Sequence, residues 1–155
     1  MKGNELVIQT LNDLLADELT AINQYMVHSE MCTNRGYDKL ADVIEKRAIM
    51  EMKHAEKLIS RIIFLEGKPT VSVLNKITIG ADVLKQLQND HAAELVAING
   101  YNKGIKQATE LGDNGTREME EDILTEEEGH IDWIEAQLDQ IEQMGLQLYL
   151  VDQSD

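Results

Sequence analysis

At 155 residues the chain is long enough to bury a sizeable core and fits one domain over 1–155. Aromatic residues make up only 4% of it against 43% apolar in total, so a core must be built from Leu, Ile, Val, Met and Ala. The net charge of −15, from 29 acidic and 14 basic residues, argues against a nucleic-acid partner, which needs clustered Lys and Arg, and favours cationic ligands. Cys32 is the single cysteine, which rules out an intramolecular disulfide and a thiolate metal cage. The opening Met1-Lys2-Gly3-Asn4-Glu5 runs straight into an amphipathic pattern, and no apolar run approaches the ~18 residues of a membrane span. A cytoplasmic location with no membrane partner is expected.

In chain order, residues 5–34 place Leu6, Leu11, Leu14, Leu15, Ile22, Tyr25 and Met26 at helical spacing, and Gly36 marks the break. A second helix is expected from about Asp38 to Leu65, stopped by Glu66-Gly67-Lys68-Pro69. Residues 67–81 change in composition to Pro, Thr, Val, Ser and Ile, which predicts a connector running along a bundle rather than a strand pair. The third helix is expected from Asp82 to Leu111, a turn at Gly112-Asp113-Asn114-Gly115, and the fourth helix from Thr116 to Met144. Gly145 ends it and leaves 146–151 as a short fifth helix. Each long helix would measure ~45 Å at 1.5 Å per residue. Two short turns and one long connection predict an all-α, ferritin-like four-helix bundle with a long crossover.

The chain repeats itself at an offset of 76 residues. Asp17-Glu18-Leu19-Thr20-Ala21-Ile22-Asn23-Gln24-Tyr25 matches Ala93-Glu94-Leu95-Val96-Ala97-Ile98-Asn99-Gly100-Tyr101 at six of nine positions. Further on, Glu51-Met52-Lys53-His54 pairs with Glu127-Glu128-Gly129-His130. Each half thus carries a Glu and, 33 residues later, Glu-x-x-His.

Residues three apart on a helix share a face, so Glu51 with His54, and Glu127 with His130, can converge. Glu18 and Glu51 lie at similar distances from the Gly36 bend, as Glu94 and Glu127 do from Gly112, so each pair should face across its hairpin. Folding the halves together brings four carboxylates and two imidazoles to the centre. Burying them without metal would be very costly, whereas two divalent cations neutralise four carboxylates. Oxygen-rich ligation with one nitrogen per metal suits iron or manganese, and two single Glu plus two Glu-x-x-His is the ligand pattern of di-iron carboxylate bundles.

Glu is abundant here, so one Glu-x-x-His alone would carry little weight; its recurrence at the repeat offset is what makes it specific. His28 and His91 lack the motif and read as surface residues or as supports around the site. Tyr25 and Tyr101, each seven residues after a proposed ligand, are core residues by default and candidates to hydrogen-bond a ligand carboxylate. Trp133 reads as packing, with an electron-donor role as the alternative.

Several segments resemble the bacterioferritin family across essentially the whole chain. They are Met1-Lys2-Gly3, Asn23-Gln24-Tyr25, Glu51-Met52-Lys53-His54-Ala55-Glu56, Phe64-Leu65-Glu66-Gly67, Glu127-Glu128-Gly129-His130-Ile131-Asp132-Trp133 and Met144-Gly145-Leu146. The resemblance implies a homo-oligomeric shell of 24 subunits, with the fifth helix lining pores. It implies two iron ions per subunit, bridged by Glu51 and Glu127 and completed by Glu18 with His54 and Glu94 with His130. These six residues would be both the metal ligands and the catalytic residues of a ferroxidase that oxidises iron(II) with dioxygen or peroxide. It also implies one haem per subunit pair, with Met52 as axial ligand from each side, and a ferredoxin-type electron donor for iron release. Some family members carry a His and an Asp for an iron on the inner surface; Lys46 and Met50 occupy those positions here, which argues against that relay. The competing reading is a non-storage di-iron oxidase or peroxidase of rubrerythrin-like type, although the single cysteine cannot supply the Cys-rich iron domain that such proteins add.

Overall fold

Capping side chains set where the long helices begin. Asn4 Oδ1 accepts from Leu6 N at 2.8 Å, Asp82 Oδ1 from Lys85 N at 2.8 Å, and Asp113 Oδ1 from Thr116 N at 3.0 Å, each satisfying an amide with no intrahelical partner. The computed structural model describes residues 1–154, and among them the elements are all helical: α1 (Glu5–Asn34), α2 (Asp38–Phe64), α3 (Val83–Glu110), α4 (Asn114–Met144) and α5 (Leu146–Asp152). Gly36 and Gly112 close the two hairpin turns at φ 81° and 73°, a region that disfavours residues with a Cβ. The all-α ferritin-like expectation holds, and the helix ends fall within about two residues of those expected.

The long helices pair as α1 with α2 and α3 with α4, and α1 also packs on α3. Between α2 and α3 the chain needs no regular structure of its own, because polar side chains of α1 take up its amides in sequence. Thr70 N donates to Asn12 Oδ1 at 2.8 Å, Asn75 N to Thr20 Oγ1 at 2.8 Å, Thr78 N to Gln24 Oε1 at 3.1 Å and Gly80 N to His28 Nε2 at 3.0 Å. Arg35 then donates to Ala81 O at 2.8 Å. The crossover therefore runs from the start of α1 to its end, as its length and composition predicted.

Two apolar clusters fill the bundle. One is built from Val7, Leu11, Leu14, Leu15, Leu58, Ile62, Tyr101 and Ile123 with their neighbours. The other gathers Tyr25, Leu40, Ile44, Val83, Leu87, Ile141 and Tyr149. Leu6 and Met26, which share the helical spacing of the α1 core residues, point outward instead, at 62% and 49% exposure. Short α5 docks through Tyr149, whose hydroxyl donates to Gln137 Oε1 at 2.8 Å. No helix among the described residues is long and apolar enough to cross a membrane.

Candidate metal centre

Each half delivers its polar residues to the middle of the bundle. Glu18 from α1, Glu51 and His54 from α2, Glu94 from α3, and Glu127 and His130 from α4 are all buried, none more than 2% exposed. Their ligand atoms form two groups, Glu18–Glu51–His54–Glu127 and Glu51–Glu94–Glu127–His130, each with all atoms within 4.8 Å of one another. Glu51 and Glu127 belong to both groups. A carboxylate has two oxygens, so these two residues can span neighbouring cations while Glu18 and Glu94 each serve one.

Both imidazoles present Nδ1 to the carboxylates. His54 Nδ1 lies 2.7 Å from Glu127 Oε1, 3.2 Å from Glu51 Oε2 and 3.6 Å from Glu18 Oε2. His130 Nδ1 lies 2.8 Å from Glu51 Oε1, 3.5 Å from Glu127 Oε2 and 3.6 Å from Glu94 Oε1. The two rings stack with centroids 6.2 Å apart.

Whether these residues fit cations can be tested on their unmet hydrogen-bonding capacity. Buried polar atoms in a folded chain are nearly always hydrogen-bonded. Glu18 Oε2, Glu51 Oε1, Glu94 Oε2, both oxygens of Glu127 and His130 Nδ1 have no hydrogen bond, and among the described residues the only further such side-chain atom is Glu120 Oε2. His130 Nδ1 and Glu51 Oε1 nevertheless lie 2.8 Å apart, close enough to repel unless a proton or a cation sits between them. Acceptor atoms converging on two points is what two cations require.

Without cations the cluster holds protons. Burial and the charge of Glu51 raise Glu18 well above the carboxylate range. Burial, with Glu127 alongside, pushes Glu94 up to about 8. Burial disfavours a charged imidazole, yet the carboxylates of Glu127, Glu51 and Glu94 outweigh it and push His130 up to about 11. His54 rises for the same reason, against the same burial. Burial also works against charge on Glu127, but the Glu94 carboxyl and the His130 and His54 imidazoles beside it outweigh burial and hold it low. Cations entering this site displace protons.

The tyrosines are crossed between halves. Tyr25 donates to Glu94 Oε1, and Tyr101 to Glu18 Oε1 at 2.6 Å. Each hydroxyl thus fixes one oxygen of a carboxylate and leaves the other, Glu94 Oε2 or Glu18 Oε2, free of hydrogen bonds. Trp133 is partly buried against the second apolar cluster with the Arg47 guanidinium 5.9 Å from its ring.

The two histidines outside the motif part ways. His91 sits near the surface, with Nε2 3.0 Å from Glu135 Oε1. His28 is fully buried, not a surface residue. Its Nε2 accepts from Gly80 N, so Nδ1 carries the proton and donates to Asp90 Oδ1 at 2.9 Å; Gln24 donates to the same oxygen at 2.8 Å. This network ties the crossover to α1 and α3, and spacing gave no signal for it. Glu126 was also missed: its Oε2 lies 2.6 Å from His54 Nε2. Met52, 45% exposed, borders a hollow between α1 and α2 lined by Ile22, Met26, Ala48 and Ile49.

Helices, crossover and twin carboxylate–histidine groups together define a ferritin-like protein with a centre able to hold two metal ions. The ferritin family model, described as a ferritin-like domain, matches residues 8–144. The chain is 40% identical over 149 residues to a bacterioferritin of Brucella melitensis, covering 96% of this chain and 92% of that one. It is 41% identical over 150 residues to a bacterioferritin of Streptomyces coelicolor, covering 97% and 90%. A third, from Rhodobacter capsulatus, is 39% identical over 147 residues, covering 95% and 91%. The chain belongs to the bacterioferritin family.

Proposed function

We propose that the protein takes up iron(II), oxidises it at the twin carboxylate–histidine site and stores the ferric product inside a 24-subunit shell. The observation that carries this reading is the sharing of Glu51 and Glu127 between two otherwise separate ligand groups. Two iron(II) ions held there supply two electrons to dioxygen or peroxide and become iron(III). The protein's part is binding, orientation and exclusion of water. Glu51 and Glu127 span the two positions; Glu18 and His54 complete one, Glu94 and His130 the other. Tyr101 and Tyr25 hold Glu18 and Glu94 in place through their hydroxyls, and the apolar clusters on the bundle's inner faces keep bulk water from the ligands. Protons on Glu94 and the imidazoles leave as the metal arrives.

Met52 is suited to hold one face of a haem. Its thioether is a soft, neutral donor, it is half exposed, and the hollow it borders is mainly apolar, with Ser29, Glu30 and Glu45 as its polar lining. A second copy turned by a two-fold axis would bring its own Met52 to the opposite face. Reduction for release would then draw on a ferredoxin-type donor.

The test is to count ferric ions kept in solution per chain after repeated aerobic additions of iron(II). Retention far beyond two per chain, with rapid oxidation lost in Glu51→Ala, is the expected result. Uptake that stops at two per chain would replace storage with a non-storage di-iron oxidase or peroxidase of rubrerythrin-like type.

A further inference from the structure

The internal repeat is broken at one place that touches the candidate metal centre. His54 bonds through Nε2 to Glu126 Oε2 at 2.6 Å, across from α2 to α4. At the repeat offset, His54 corresponds to His130 and Glu126 to Met50. The counterpart of this bond would therefore run from His130 to residue 50, where a thioether replaces a carboxylate. Met50 is half-buried on α2, one residue before Glu51, as Glu126 is one residue before Glu127. Nothing in the apolar frame of either helix accounts for the difference.

We propose that Glu126 is a positioning residue that makes the two metal positions unequal, tightening the Glu18–His54 position relative to the Glu94–His130 position. The inference rests on the dinuclear reading above and adds to it an order of occupancy. A ligating imidazole is oriented by whatever its second nitrogen donates to, and a carboxylate there also makes the ligating nitrogen a stronger donor. His54 has such a partner, so its ring is fixed with Nδ1 facing Glu127, Glu51 and Glu18. His130 has none of this kind, since a methionine sulfur is at best a weak acceptor. The bridging carboxylates are common to both positions and cannot separate them. The tyrosine bonds to Glu18 and Glu94 are matched between halves and do not separate them either. The outer partner of each histidine is left as the difference.

Outer partners of metal-bound histidines are typically worth 10–100-fold in metal affinity. Cobalt(II), titrated without oxygen into metal-free protein, gives the stepwise constants by chelator competition. It also shifts the Nε2–H proton resonance of each ligating histidine. The native protein should bind two ions with constants at least about tenfold apart, and one slowly exchanging, strongly shifted N–H signal should belong to His54. Glu126→Met, which copies the other half, should weaken the tighter step by about 10–100-fold, bring the two constants together and lose that signal. Glu126→Gln keeps an acceptor and should fall between. Met50→Glu should tighten the weaker step and give His130 a protected N–H of its own, which keeps the inference open to refutation even if a substitution at 126 disturbs folding. Two ions bound with constants unchanged in Glu126→Met and in Met50→Glu would overturn this inference alone. Fewer than two cobalt ions per native chain would overturn the dinuclear reading and the inference with it.

Discussion

The halves α1–α2 and α3–α4 descend along the same register, and they agree at the centre and differ at the ends. Glu18, Tyr25, Glu51 and His54 have exact-type counterparts in Glu94, Tyr101, Glu127 and His130, all buried. One or two turns away the likeness stops. Gln24 and His28 correspond to Gly100 and Gly104, and Asp90 corresponds to Leu14. At one end of the bundle Gln24, His28 and Asp90 form a satisfied polar network that receives the crossover. At the other end, where the crossover sets out past Asn12, the same register positions hold Gly100, Gly104 and Leu14, and the buried Leu14 packs into the first apolar cluster. The centre must supply matched donors for two cations, whereas each end answers only to whatever chain happens to pass it.

If that division is right, the largest effect comes from breaking what the halves share. Glu51 and Glu127 serve both metal positions, so Glu127→Ala should abolish tight binding at both, while Glu18→Ala should leave the Glu94–His130 position able to hold one ion. The loss for Glu127→Ala should exceed the roughly 100-fold that marks the upper end for outer partners. Equilibrium dialysis with zinc(II) or cobalt(II) reads the stoichiometry directly. If Glu18→Ala and Glu127→Ala gave the same stoichiometry, the bridging assignment would fail.

A smaller effect sharpens the comparison, because the tyrosines are crossed. Tyr101 sits in the second half but bonds Glu18 in the first, and Tyr25 does the reverse to Glu94. Removing one hydroxyl leaves a buried carboxylate oxygen with no partner, at about 1–3 kcal/mol. Tyr101→Phe and Tyr25→Phe should therefore lower the denaturation midpoint of metal-free protein by similar amounts. In metal titrations they should diverge, Tyr101→Phe disturbing the Glu18–His54 position and Tyr25→Phe the other. Equal disturbance of both positions by either variant would mean that the hydroxyls act through general packing.

How much of this was legible beforehand follows the same line. The helices, their turns and the six central residues repeat, and a repeat can be read without coordinates. Helical periodicity also named most of the core, failing at Leu6 and Met26, which are exposed, Met26 at the rim of the hollow between α1 and α2. The features that do not repeat were silent. His28 and Asp90 are 62 residues apart, and nothing local announces their bond. Glu126 stands in a run of three glutamates, Glu126-Glu127-Glu128, where composition hides which one turns toward His54. Pairings that depend on how two hairpins dock are written in the tertiary packing, and spacing along one helix cannot show them.

Glu120 gives the smallest effect at pH 5 and the most direct check on the idea that the ends are free to differ. It is 1% exposed, its Oε2 has no hydrogen bond, and a Cβ on Gly104 would sit only 2.6 Å from its Oε1. The register places buried Ile44 as its counterpart, so an apolar residue is accepted at this position in the other half. Burial, with a lesser push from the charge of Asp113, raises Glu120 from the ordinary 4.5 to about 8. Below pH 4.5 the carboxyl is protonated in folded and unfolded chains alike, and its contribution to stability is at its most favourable. Between 4.5 and about 8 the folded chain keeps a proton that the unfolded chain has lost, so stability falls as pH rises, and above about 8 the loss is complete. Glu120→Met keeps the length of the side chain and removes the titration. The gain from this substitution should therefore be small at pH 5, near the low end for an unpartnered buried group at about 1 kcal/mol, clearly larger at pH 7, and level above about pH 8. Urea denaturation at pH 5, 7 and 9 measures it. A difference between the two proteins that stayed constant across that range would mean the carboxyl does not titrate in the folded bundle as its burial requires.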